Sequence, residues 1–242
     1  MGYIGYTKLH YTSERILTCF IFSSAVFVLA SLTPLFQPAV FAQDNEFAGE
    51  KVLHLLEEPR HRTVHNEGGL YLLDVQVNPG DESFAHTHDQ AILLTYISSG
   101  AGSREGEVRA NIDYASQPFT HKVSNDGPGL LRILAFVNAS DGARSADDRP
   151  DGFAGEPQLE NQWFRSYRIE LEPGASTPMQ KHQHSGFVAQ ATEGVVHVTR
   201  EDGITSELDA PGDWIWRETD VEYTVKNAGT SPVAIVINEA RQ

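Results

Sequence analysis

The chain contains one sequence pattern twice, and this repeat restricts its fold more than any other feature. In the first copy Pro79-Gly80 precedes His86-Thr-His88, and in the second copy Pro173-Gly174 precedes His182-Gln-His184. Proline followed by glycine is typical of a turn, and each histidine pair leads into a mostly apolar run. Because several landmarks recur in the same order, the sequence predicts two consecutive units with the same fold.

Both units are predicted to consist of β-strands. Short segments rich in valine, isoleucine, leucine and aromatic residues are bounded by glycine, proline or aspartate, which is typical of strands. The clearest of them cover residues 69–77, 131–138, 195–200 and 233–238. Beyond residue 42 we find no long helical period, apart from a single turn around residues 49–56. The sequence therefore predicts an all-β protein.

The first histidine pair indicates a metal site. Side chains alternate along a strand, so His86 and His88 face the same side. Neutral imidazoles suit Fe, Zn, Cu, Ni and Mn, and a third ligand can come from another strand of the same barrel. We expect His121 to be that ligand. The alternative, that these histidines are only polar surface residues, is disfavoured by the repeat.

The spacing of these residues resembles a known family signature. Gly80-x5-His86-x-His88, followed by His121-x3-Asn125-Asp-Gly127, is similar to the two-part motif of the cupin superfamily. This resemblance implies two tandem jelly-roll β-barrels after an N-terminal signal peptide. The barrels would comprise residues 43–139 and 163–242. Residues 140–162 between them are rich in Asp, Gly, Pro and Ala and are predicted to be a linker.

One departure from the family motif bears on the function. Cupins usually add a glutamate ligand that is separated from the histidine pair by three or four residues, but the corresponding positions here hold Ile92 and Leu93. The three-His variant resembles iron dioxygenases that cleave diketones or gentisate-like rings or oxidise thiols. We therefore favour Fe(II) as the cofactor, with Mn, Ni or Zn as alternatives, and a small organic molecule as the substrate.

The sequence is also consistent with other functions. A cupin lyase or isomerase could use Gln90 or Tyr223 as a catalytic group. The protein could also be a binding module for a small ligand, or an assembly module that forms a homodimer through edge strands.

The second histidine pair predicts a weaker metal site. His182 and His184 are candidate ligands, but Tyr223 occupies the position that matches His121. A neutral phenol is a poor metal ligand. Either this second site binds metal less well, or the second barrel only supports the first.

Residues 1–42 are predicted to be an export signal. Lys8 and Arg15 precede an apolar core at residues 16–32, and Val40-Phe41-Ala42 fits a cleavage site of small residues. The apolar core is rather short for a bilayer span, so we expect no stable membrane anchor. The mature protein is expected to be periplasmic or secreted.

The composition of the mature chain excludes several classes of partner and ligand. Without the signal it has 16 basic and 32 acidic residues, a net charge of −16, and no cysteine. An acidic surface repels nucleic acid, and no disulfide or thiolate metal ligand is available. Outside the motifs, His61 and His65 could line the mouth of the first barrel, but we expect them to be solvated.

Overall fold

A computed structural model describes residues 46–143, 148–153 and 155–242 of the chain. The predicted export signal lies outside these described residues. The described residues belong to one compact unit. Among them, no helix is long and apolar enough to cross a membrane.

The first half forms two sheets. Its elements are β1 (Val52–His54), a 3₁₀ turn η1 (Leu55–Glu57), β2 (His61–Glu67), β3 (Leu70–Val77), β4 (Ala85–His88), β5 (Ala91–Ser99), β6 (Val108–Asn111), a second 3₁₀ turn η2 (Asp113–Ala115), β7 (Phe119–His121) and β8 (Leu131–Asn138). A five-stranded sheet has the order β2-β3-β8-β5-β6, and a three-stranded sheet has the order β1-β4-β7.

The second half forms two comparable sheets. Its strands are β9 (Leu159–Glu160), β10 (Phe164–Leu171), β11 (Gln180–Lys181), β12 (Gly186–Gln190), β13 (Val196–Arg200), β14 (Thr205–Leu208), β15 (Trp214–Arg217), β16 (Glu222–Asn227) and β17 (Val233–Ala240). The five-stranded sheet has the order β15-β12-β17-β10-β9, and the four-stranded sheet has the order β11-β16-β13-β14. The predicted all-β class is confirmed.

The large sheets are buried on both faces, which explains the continuous apolar runs of their strands. Leu93 on β5 and Phe136 on β8 pack in a core that also includes Phe187 and Val236 of the second half. Their neighbours along the strands face the other way, and each half has a second core of its own. Alternating side chains thus fill a shared core on one face and a private core on the other.

The two halves repeat one set of backbone contacts. The amide of Gly80 donates to the carbonyl of Asn125 at 2.8 Å, and the amide of Gly174 donates to the carbonyl of Asn227 at 3.0 Å. Both glycines have a positive φ, +77° and +79°, which other residues rarely adopt. These contacts match the two copies of the repeat, with Gly174 in the place of Gly80 and Asn227 in that of Asn125.

The segment predicted to be a linker has structure of its own. β9 lies within it and pairs with β10. Asp148 in the same segment is 6% exposed and binds both Arg165 and Arg241. The described part of the segment therefore contributes a strand and a buried carboxylate to the second half.

Candidate metal centre and its counterpart

Strand pairing brings the three predicted histidines together. β4 runs antiparallel to β7, and His86 lies directly opposite His121 in this pairing. His88 follows His86 by two residues and faces the same side of the sheet. Two short neighbouring strands thus supply all three imidazoles.

The three rings form a nearly equilateral cluster. The ring centroids of His86 and His88 are 5.1 Å apart, those of His86 and His121 4.7 Å, and those of His88 and His121 4.9 Å. One nitrogen from each ring lies within 4.8 Å of the others. This separation lets three nitrogens reach one ion.

Hydrogen bonding shows which nitrogen of His86 is available. Its Nδ1 lies 2.9 Å from the carbonyl oxygen of Phe84, which can only accept, so Nδ1 carries the proton. The Nε2 atom therefore carries the lone pair, and it is buried without a hydrogen-bond partner among the described residues. The Nε2 atoms of His88 and His121 are 3.0 Å apart. An unsatisfied buried imidazole beside two others fits a divalent metal.

The surroundings keep these imidazoles neutral. Burial, followed by the nearby rings of His121 and His86, lowers the pKa of His88 from 6.5 to about 2. Burial and the His86 ring lower the pKa of His121 to about 4. Burial also lowers the pKa of His86. Neutral rings keep the lone pairs that a metal needs.

Two residues beside the cluster were missed by the sequence analysis. His61, expected to be solvated, is only 4% exposed, and its ring lies 4.4 Å from that of His86 between centroids. The buried Glu58 lies 2.6 Å from Nδ1 of His61. That expectation for His61 was wrong because contact with His86 comes from the fold around η1 and β2, which no spacing rule in the sequence indicates.

The cluster opens on a small, mostly apolar cavity of about 60 Å³. Its lining includes His61, His88 and His121, together with Ile92 and Leu94 from β5 and Tyr114 from η2. Ile92, at a position where cupins usually have the glutamate ligand, is thus part of the cavity wall. The lining contributes no carboxylate from the described residues.

The chain is similar to known proteins in structure and not in sequence. No protein-family model and no curated protein matches the sequence. AerE from Microcystis aeruginosa is similar in structure, with a TM-score of 0.53 and 10% identity over 72% of this chain and 89% of that chain. Salicylate 1,2-dioxygenase from Pseudoaminobacter salicylatoxidans, solved as adducts with gentisate, gives 0.51 and 10% over 71% and 68%.

A third solved structure has a lower structural similarity to this chain. It is a cupin 2 conserved barrel domain protein from Leptotrichia buccalis, with a TM-score of 0.46 and 8% identity over 74% of this chain and 87% of that chain. The two structures above, with TM-scores of 0.53 and 0.51, support the predicted jelly-roll β-barrel fold. At these identities the similarity concerns the fold alone and leaves the activity to the residues of this chain.

Gln90 lines a different pocket from that of the histidine cluster. β4 ends at His88 and β5 begins at Ala91, so the strand is interrupted at Gln90 and the alternation does not continue through it. Gln90 instead lines a separate pocket with Asn138 and Trp163. Gln90 does not line the cavity beside the histidines, so no contact with the candidate metal centre supports a role for it there.

The second barrel repeats the site, but its histidine pair is shifted by two residues along the sequence. β11 pairs with β16 so that Gln180 lies opposite Tyr223. Gln180 follows Gly174 by the same six residues that separate His86 from Gly80. Gln180 therefore stands in the place of His86, His182 in that of His88, and Tyr223 in that of His121. The two histidine pairs are offset by two residues.

His182 is fully engaged with protein groups. Its Nδ1 lies 2.6 Å from a carboxylate oxygen of Glu239, and its Nε2 lies 2.9 Å from the hydroxyl of Tyr223. Burial, helped by Arg217, lowers the pKa of His182 to about 4, so the neutral ring donates from Nδ1 to Glu239. Nε2 then accepts from Tyr223, and burial raises the pKa of that hydroxyl.

His184 points to a different partner. Its Nε2 lies 2.7 Å from Asp148, and its Nδ1 accepts from the backbone amide of Gln242 at 3.4 Å. Neither His182 nor His184 has a nitrogen free of protein contacts. The described part of the second barrel thus lacks a ligand set comparable to His86, His88 and His121.

Proposed function

We propose that this cupin is a metal-dependent enzyme whose centre is His86, His88 and His121, with Fe(II) as the favoured metal and a dioxygenase-like reaction on a small organic substrate. The observation that carries this proposal is the buried, unpartnered Nε2 of His86 beside two further neutral imidazoles. A core histidine without a ligand would normally be hydrogen-bonded at both ends.

The residues around the centre have distinct tasks in this proposal. The carbonyl of Phe84 holds the ring of His86 in one tautomer, which is the usual way that a second partner orients a metal ligand. Ile92 and Leu94 restrict water in the cavity. When bound, Fe(II) would supply a Lewis-acidic centre with open coordination positions for substrate and dioxygen.

His61 and Glu58 form a proton-accepting pair in this proposal. Glu58 accepts from the amides of Arg60 at 2.7 Å and Phe84 at 3.1 Å, so its position is fixed. It holds the Nδ1 proton of His61, and Nε2 of His61 is left to accept a proton from a substrate. His61 lines the same cavity as His88 and His121.

The small cavity restricts the route of the substrate. A volume of about 60 Å³ leaves little room for an aromatic ring beside the histidines. The ring of Tyr114 stacks on Phe119 at 5.5 Å and lies 5.0 Å from His88. We propose that η2, which carries Tyr114, moves outward when the substrate binds.

Oxygen consumption by the iron-loaded protein tests this function. The purified protein is loaded with Fe(II) without air, oxygen is then admitted, and its uptake is followed with gentisate and with salicylate. These substrates are chosen because a structural neighbour acts on salicylate and was solved with gentisate. The His86→Ala variant should lose uptake, whereas His197→Ala, which alters a partly exposed histidine bound to Glu207, should retain it.

The outcomes distinguish the alternative functions. Iron binding without oxygen uptake on any small acid would favour a binding module. Failure of the wild type to bind any divalent metal would contradict the proposal as a whole.

We further propose that the protein is exported. The basis is the basic leader and apolar core within residues 1–42. Mass determination of the mature protein from the periplasm or medium should give an N-terminus near Gln43. A mature protein that retains residues 1–42 would contradict export by this signal.

A further inference from the structure

The second barrel contains a cavity of about 210 Å³, larger than that of the first barrel. Much of its wall is apolar and includes Val188, Val198 and Ile215. The polar lining residues are Arg200, Ser206, Arg217, Glu218 and Tyr223. This combination of apolar walls and a few polar groups is typical of small-molecule sites.

Arg217 is buried and forms no direct ion pair with a residue that the structure describes. It is 5% exposed, and its two terminal nitrogens donate to the carbonyls of His184 at 3.0 Å and Asn238 at 3.2 Å. Its Nε is buried with no hydrogen-bond partner among the residues that the structure describes. Carbonyl oxygens accept hydrogen bonds but carry no full charge, so the guanidinium charge is not neutralised by them.

The other two buried arginines behave differently. Arg165 forms ion pairs with Asp148 at 2.6 Å and with Glu160 at 2.7 Å. Arg241 forms an ion pair with Asp148 at 2.9 Å. Arg217 has no ion pair within the described ranges, although charges removed from water normally require one.

The buried carboxylate of Glu239 is already bound to other side chains. Glu239 is fully buried, and its two oxygens lie 2.6 Å from Nδ1 of His182 and 3.2 Å from Arg165. Both carboxylate oxygens therefore have partners. Arg217 is therefore left without a direct ion pair among the described residues, although Glu239 lies near enough to interact with its charge.

The chain makes room for this arginine. Gly186 pairs with Glu239, as Ile92 pairs with Val137 in the first barrel, so Gly186 stands in the place of Ile92. A Cβ at Gly186 would lie 2.9 Å from Arg217 and 1.9 Å from the carbonyl oxygen of Asn238. Side chains are thus excluded where the first barrel has an apolar wall.

We propose that the cavity of the second barrel binds a small organic carboxylate without a metal. The carboxylate accepts from the guanidinium of Arg217 and supplies the direct ion pair that this side chain lacks among the described residues. The apolar body of the ligand packs against Val188, Val198 and Ile215. This site is independent of the histidine cluster in the first barrel and of the activity proposed for it.

Binding of benzoate to the full mature protein tests the proposal, with benzyl alcohol as the neutral analogue of similar size. Calorimetry should show saturable benzoate binding and clearly weaker binding of benzyl alcohol. Arg217→Gln should weaken benzoate binding at least about tenfold, because it removes one partner of a buried charge pair. Arg168→Gln is the matched control, since Arg168 lies in the same half, is outside the lining of this cavity and pairs with Glu170.

Metal removal should leave benzoate binding unchanged, which separates this site from the first barrel. A second variant, Ser206→Trp, places a bulky side chain in the half-buried wall of the cavity and should abolish binding even if Arg217→Gln does not fold. Absence of benzoate binding at millimolar concentration, equal binding of benzyl alcohol, or full binding by Ser206→Trp would each overturn the proposal.

Discussion

The two barrels have the same backbone framework, but the side chains at the corresponding sites differ. In both, a glycine turn is tied to an asparagine backbone, and that asparagine side chain donates to two carbonyls, at 2.8 and 2.7 Å in Asn125 and at 2.8 and 2.8 Å in Asn227. The first barrel surrounds His86 with two further imidazoles. The second barrel puts Gln180 in that position and uses its one remaining site histidine in a hydrogen-bond network. A shared framework therefore does not imply a shared site.

The difference arises from the position of a histidine pair along a strand. A shift by two residues keeps the side chains on the same face, because the period of a strand is two. The shift nevertheless moves one histidine out of the cluster, toward Asp148, and leaves His182 with Tyr223 and Glu239. The first site is thus unsatisfied and suited to a metal, whereas the second is satisfied by protein groups.

The largest expected effect concerns the charge network of the second half. Asp148→Ala should lower the free energy of unfolding by about 3–5 kcal/mol, because it leaves Arg165 and Arg241 buried with fewer counter-charges. Asp74→Ala in the first half should cost less, since its partners Arg62 and Arg132 are 66% and 23% exposed. Chemical denaturation measures both. Equal losses would show that the halves do not differ in buried charge.

Metal affinity should separate the two sites. His86→Ala should weaken metal binding more than about 100-fold, or about 2.7 kcal/mol, because even an outer-shell partner of a metal ligand contributes about 10–100-fold. His182→Ala should leave the metal content unchanged, since His182 is bound to Glu239 and Tyr223. Elemental analysis after dialysis is the measurement. A larger loss in His182→Ala would reverse the ranking of the sites.

Acid should destabilise the metal-free protein through its buried imidazoles. The pKa values of His61 and His121 are lowered to about 4 and that of His88 to about 2, mainly by burial. Each contribution to stability is complete above the unfolded pKa of about 6.5 and is lost as the pH falls below it. Each such group contributes a slope of at most about 1.4 kcal/mol per pH unit.

Variants assign this pH dependence to the two halves. Between pH 6.5 and 5, His88→Gln should remove one such contribution in the first barrel, and His182→Gln one in the second. Thermal unfolding of the metal-free variants across this range is the measurement. An unchanged slope in His88→Gln would mean that this ring is not buried in its neutral form.

The smallest effect is a gain of binding in the second barrel. The double substitution Gln180→His with Tyr223→His should create a cluster with His182 and raise the metal content from about one to about two equivalents, since three imidazoles can hold a divalent metal. Tyr223→His alone should not do so. A stoichiometry that stays at one in the double variant would show that Glu239 or the barrel wall prevents the site.

Much of the fold could be predicted from local patterns. The strand at residues 131–138 has the predicted bounds, and the strand predicted at 69–77 begins one residue later, at Leu70. The strand predicted at 233–238 extends to Ala240. The apolar pattern stops before Glu239, and the charge of Glu239 is balanced by Arg165 only in the folded second half. Local propensity cannot reveal a buried charge with a distant partner.

The candidate site was predictable only in part. His86, His88 and His121 follow from strand alternation and family-like spacing, and the structure places them together. His61 and Glu58 were not predictable, because their contact with the cluster is made by the fold around η1. Gln90 lies between β4 and β5, so alternation along one strand does not determine which way its side chain faces.

The sequence by itself determined the repeat, the β-class and the first group of imidazoles, because turns, alternation and spacing are properties of neighbouring residues. Tertiary structure alone decided which copy of the repeat keeps unsatisfied nitrogens, because that depends on Glu239, Asp148 and Tyr223, which lie far from the histidine pair along the chain. A hydrogen bond or ion pair satisfies a buried group only when its partner lies within about 3 Å, and no local pattern in the sequence specifies that distance.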